Sequence, residues 1–212
     1  MEDYLNRITD YLRANPVSLS HENRDGRVNS IANEDEIIDR LELVFSNFLD
    51  RPEARSWYDF KIIAPYGGQL YVNLKVSDLS IRTADNLSSK IGMGYALTGR
   101  DDLSSSWNDF NANVKKYLTT GYDYYFLIVN KKNTSDVFWT SLKRINRLVP
   151  NGNNLPFQCD WSQERTWNHR SELEAIDYIL EIYCESWDKK ISGYPEEIRS
   201  FLDRGGAKYL LN

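Results

Sequence analysis

The octapeptide Leu70-Tyr71-Val72-Asn73-Leu74-Lys75-Val76-Ser77 constrains the fold more than any other stretch of this chain. Its even positions are all aliphatic and its odd positions all carry polar atoms, a period of two that an extended strand with one face in a core satisfies. Asn73 and Lys75 therefore share the other face, which the pattern predicts to be solvated. Residues 58–64 read as the partner strand, joined through the turn Pro65-Tyr66-Gly67-Gly68. A turn centred near Gly67 sets Asp59 opposite Lys75 and Lys61 opposite Asn73, gathering a carboxylate, an amide and an ammonium on one face. A slip of one residue would scatter them.

The flanking sequence supplies helices. Residues 4–13 form a short one, closed by Asn15 and Pro16. The next spans 33–49, with Asn33 as N-cap, acids in its first turn, and Ile37, Ile38, Leu41, Val44, Phe45 and Phe48 at helical spacing. At about 100° per residue Glu34 falls on that apolar stripe, Glu36 points nearly opposite and Glu42 lies toward one edge. An acid on an inward face needs a cation as partner. Further helices are predicted at 84–97, 107–118 and 172–189, the last ending near Ser192-Gly193, with strands at 124–130 and 137–140. Alternation of helices with a hairpin and later strands gives an α/β fold with a mixed central sheet flanked by helices.

At 212 residues and 41% hydrophobic content, the chain fits one domain spanning 1–212. It has no run of about 18 apolar residues, and its first residues mix acids with apolar side chains, so no membrane contact and no export are expected. Cys159 and Cys184 stand far apart, and neither they nor His21 and His169 have zinc-ligand spacing, in keeping with a reducing cytoplasm. The net charge of −5 argues at first against a nucleic-acid partner. A net figure does not describe a cleft, however: 26 Lys and Arg can gather on one wall while acids gather around metal ions.

Asp59, Asn73 and Glu34 offer hard oxygen ligands of the kind Mg²⁺ takes, and Lys75 beside them can neutralise a phosphate or orient a water. This constellation resembles the PD-(D/E)XK nucleases, and type II restriction endonucleases in particular: Asp59, a hairpin turn, then Asn73-Leu74-Lys75, with a helix-borne Glu upstream. It departs from that pattern in Tyr58, which stands in place of the Pro, and in Asn73, which stands in place of the second acid. The loss of one negative ligand implies fewer or more weakly held ions. The stretches Thr83-Ala84-Asp85-Asn86, Lys90-Ile91-Gly92 and 149–158 are also similar to such enzymes.

The resemblance implies a restriction-endonuclease-like fold and a Mg²⁺-dependent enzyme that cuts double-stranded DNA at a short palindromic site as a homodimer. A repair or junction nuclease of the same fold, or a catalytically inactive DNA-binding module, stays open as an alternative. For DNA contacts the chain offers Arg144 and Arg147, which lead into a loop holding Asn151, Asn153 and Asn154, followed by Gln158, with Asn86 and Lys90 on the segment after the hairpin. Asn and Gln match adenine in the major groove and Arg matches guanine. The loop is equally a strong turn by composition.

Overall fold

A computed structural model describes residues 1–19, 26–54, 56–87, 90–104, 106–190 and 196–211. Contacts gather into two compact units, Met1–Arg82 with Tyr125–Thr140, and Thr83–Tyr124 with Ser141–Asn212. Length and composition do not register this division, because no Pro- or Gly-rich linker marks where the chain passes from one unit to the other.

The first unit is a mixed five-stranded sheet with helices α1 (Glu2–Ala14) and α2 (Gly26–Phe45). Its strands, β1 (Leu49–Asp50), β2 (Phe60–Ile63), β3 (Gln69–Ser77), β5 (Tyr125–Asn130) and β6 (Asn133–Ser141), run in the order β1-β2-β3-β5-β6. β2 and β3 form an antiparallel hairpin, and β3 pairs in parallel with β5. Leu5, Ile8 and Leu12 of α1 and Ile37, Ile38 and Leu41 of α2 share one core with Phe60, Ile62, Val72, Leu74 and Leu127. The even positions of β3 thus face the helices, as their pattern predicts.

Three expectations need correction. β3 is not half-solvated: it lies centrally between β2 and β5, and Tyr71 and Asn73 on its odd face are as buried as Leu70 on its even face. The hairpin pairs Phe60 with Val72 and Lys61 with Tyr71, so Lys61 does not face Asn73 and Asp59 does not face Lys75. The reverse turn closes one residue earlier, with Gly67 N–H donating to Ala64 at 3.1 Å and Ala64 N–H to Gly68 at 2.8 Å. Gly67 takes φ +91°, which a side chain would strain. Moving the centre by one residue shifts the register by two, an even slip that leaves every side chain on its face. Finally, α2 starts at Gly26, so Asn33 is a buried interior residue rather than an N-cap, and the helix stops at Phe45, leaving Val44 exposed and Leu49 in β1.

The second unit carries α3 (Lys90–Thr98), α4 (Trp107–Tyr117), α5 (Glu172–Lys190) and α6 (Glu196–Asp203). With them is a three-stranded antiparallel sheet of β4 (Asp85–Asn86), β8 (Phe157–Cys159) and β7 (Leu148–Pro150). β4 occupies the start of the predicted helix 84–97, whose helical part begins only at Lys90. Ser192-Gly193 and His21 lie outside the described residues. Cys159 and Cys184 are free and buried. Among the described residues no helix is long and apolar enough to cross a membrane.

Candidate functional site

The site follows from the place where β2 leaves β3. Regular pairing ends at Phe60 and Val72, although β3 runs on to Ser77. Alternate N–H groups of a strand point to the same edge, so beyond Val72 this edge leaves Leu74 and Val76 in need of acceptors. Two carboxylates supply them. Asp59, next to the start of β2, donates its own N–H to Val72 at 2.9 Å and accepts from Leu74 N–H through Oδ2 at 2.6 Å. Glu34, reaching from α2, accepts from the N–H of Val76.

Asp59 stands close enough to Glu34 to add to the cost of ionising it, and Lys75 offsets that cost for both acids. Burial pushes the Glu34 carboxyl from its ordinary 4.5 up to about 7; Lys75 pulls against that shift, while Asp59 and Asp35 add to it. Asp59 is raised mainly by burial as well, opposed first by the Leu74 N–H and then by Lys75. Both carboxyls are thus held where the neutral form gains ground, an arrangement that a bound cation would reverse.

Asn73, the residue before Leu74, adds a neutral side-chain oxygen on the odd face of β3. It is 7% exposed, and its Oδ1 is buried with no hydrogen-bond partner. An orphaned carbonyl oxygen in a strand interior is costly unless a water, an ion or a ligand meets it. The donor chemistry suits Mg²⁺: two carboxylates, each with one oxygen tied to backbone, and one neutral oxygen without a partner. Among the described residues no cluster of three or more His, Cys, Asp or Glu is spaced to hold a metal ion. An ion here would therefore rely on Asn73 as well as on the two acids.

A cleft of about 530 Å³ opens beside the acids, lined by Glu34, Asp35, Arg51, Glu53, Tyr58 and Asp59. Sequence reasoning missed Arg51. Its guanidinium binds Asp35, lies 2.5 Å from Asp39 and stands 3.7 Å from Glu42, so it spans one face of α2. The spacing 35, 39 and 42 is a helical i, i+4, i+7 row, and that signal was available. Glu42 is thereby placed with Arg51. Lys61 is held by Asp50 at 2.9 Å across β1 and β2.

The residues predicted to contact DNA all lie in the second unit. Asn86 and Gln158 are cross-strand neighbours, and Asn86 Oδ1 accepts from Gln158 Nε2 and Asn151 Nδ2, both at 3.0 Å. Asn151 is buried, with its N–H on Ser186 and its Oδ1 on the N–H of Asn153, so it shapes the turn. Asn153, Asn154 and Arg147 are exposed. Lys90 rests its ammonium 4.5 Å from the Trp107 ring centroid, and Arg144 its guanidinium 4.2 Å from that of Trp167. No family model, no curated protein and no solved structure matches the chain.

Proposed function

We propose that this protein is a Mg²⁺-dependent endodeoxyribonuclease with a restriction-endonuclease-like fold, cutting double-stranded DNA at a short palindromic site as a cytoplasmic homodimer. The observation that carries the reading is the convergence of Glu34 and Asp59 on the N–H groups of Val76 and Leu74 at the freed edge of β3, within electrostatic reach of Lys75. Asp59, Asn73 and Glu34 would hold the ion, which supplies a lowered pKa for attacking water and a counter-charge for the phosphoryl transition state.

The chain's own groups do the rest. Leu74 and Val76 N–H each fix one oxygen of a carboxylate, which preorganises both acids before substrate arrives. Lys75 carries the only basic side chain on β3, and its ammonium neutralises the phosphate or orients the water. Asn73 in place of an acid lowers the negative charge of the ligand set and favours a single ion. The homodimer follows from the symmetry of a palindromic substrate.

Digestion of a sequenced plasmid in Mg²⁺, with the ends mapped, tests this. Discrete bands with one sequence at every end are expected. Smearing or junction-restricted cutting would instead indicate a repair nuclease, and an intact plasmid that is retarded in a gel would indicate a binding module.

A further inference from the structure

Segment 143–170 concentrates positive charge in a chain of net charge −5: it holds Lys143, Arg144, Arg147, Arg165 and Arg170 against Asp160 and Glu164. Both acids are engaged internally. Asp160 accepts from Ser162, and Glu164, 1% exposed, accepts from the N–H groups of Asn146 and Arg147. Lys143 is buried and paired with Glu172 at 2.6 Å, so Arg144, Arg147, Arg165 and Arg170 carry the positive charge of the segment.

Residues 166–170 are pinned against 143–146. Asn168 Nδ2 donates to the carbonyls of Lys143 and Ile145, and its Oδ1 accepts from Arg170 N–H at 2.8 Å. Arg170 donates to the carbonyls of Ile145 and Asn146 at 3.0 Å and lies 3.7 Å over the Tyr178 ring. These bonds present Trp167, 42% exposed, as a fixed platform with the Arg144 guanidinium 4.2 Å from its ring centroid. An open cleft of about 600 Å³ lies here, lined by Trp167, His169, Asn146 and Glu174 among others. Glu174, its one carboxylate, is occupied by the N–H and hydroxyl of Ser171 in a reciprocal cap at the start of α5.

We infer that this cleft is a nucleotide-binding site in which an unpaired base stacks on the face of Trp167 that Arg144 leaves open while its phosphate meets His169 on the cleft wall. A flat π-system beside cationic groups matches a ligand that is itself a flat π-system joined to an anion. An acidic peptide would satisfy the cations and leave the indole in water. A base within a duplex keeps its faces covered by its neighbours, so the ring selects an unstacked nucleotide: a single-stranded end, a gap or an extruded base. The inference does not depend on cleavage or on the acids at β3.

The test is anisotropy of a fluorescein-labelled oligothymidylate eight-mer with the full chain at low salt in EDTA. Wild type is expected to bind, with weakening as salt rises. Trp167→Ala should lose affinity about tenfold or more, and Trp167→Phe, which keeps a stacking ring, should stay within about threefold. Quenching of tryptophan emission by the oligonucleotide should diminish in Trp167→Phe, which reads the site even where the alanine variant folds poorly. Failure of wild type to bind, unchanged affinity and quenching in both variants, or equal competition by an oligo-aspartate of matched charge would each overturn the inference.

Discussion

Glu34 and Lys75 sit on the same edge of the first unit, but their substitution should separate chemistry from stability in different ways. Lys75 is half-buried on β3, whereas Leu74 is fully buried between helices and sheet. Lys75→Ala should abolish cleavage with little change in melting temperature, while Leu74→Ala should cost about 2–5 kcal/mol in denaturant unfolding. Wild-type cutting by the alanine variant would remove Lys75 from the mechanism. For Glu34 the effect is one of pH. An unfolded chain releases this proton near 4.5, and the folded protein holds it to about 7. Between those values the unfolded state binds fewer protons, so the metal-free protein loses stability as pH rises through the window and regains it on acidification. Glu34→Gln, measured in EDTA, should flatten that slope and stabilise the protein above pH 7; an unchanged slope would show that Glu34 is not the buried acid.

At the scale of elements, the hairpin was legible where its pattern has a period and illegible where pairing depends on the turn. The even positions of β3 enter the core as the alternation demands, but centrality in a sheet is a tertiary fact, and it buried the odd face that the same alternation assigned to water. The register was misjudged because the pattern centred the turn on Gly67, whereas the Ala64–Gly68 hydrogen bond centres it on Tyr66 and leaves Gly67 as the left-handed residue that closes it. Gly67→Ala should therefore cost about 1 kcal/mol while leaving the pairing intact, since a Cβ there meets nothing within 4 Å. Cross-strand amide exchange would reveal a register slip in its place. Glu34 was legible because the apolar stripe of α2 fixes its phase, even though the helix begins at Gly26 and its cap was misplaced at Asn33. The three-stranded sheet was not, because strands of two and three residues are too short to show a period.

For the whole molecule the governing fact is charge. A protein of net charge −5 that brings Glu34 and Asp59 up to a phosphodiester meets repulsion on the order of a few kcal/mol per close pair at reduced dielectric, and a divalent ion between them reverses the sign. Ca²⁺, which fills oxygen sites without supporting hydrolysis in many such centres, should strengthen specific duplex binding at least tenfold over EDTA, and equal affinities would place the acids away from the phosphate. We propose that the freed edge of β3 hydrolyses DNA through an ion that Asp59, Glu34 and Asn73 would hold. The most direct measurement is the rate at which supercoiled plasmid is converted to cut product in Mg²⁺, comparing wild type with Asp59→Ala at matched folded concentration. Wild type is expected to cut, with no cutting in EDTA and none by Asp59→Ala; metal-independent cutting, or equal rates for the two proteins, would overturn the proposal.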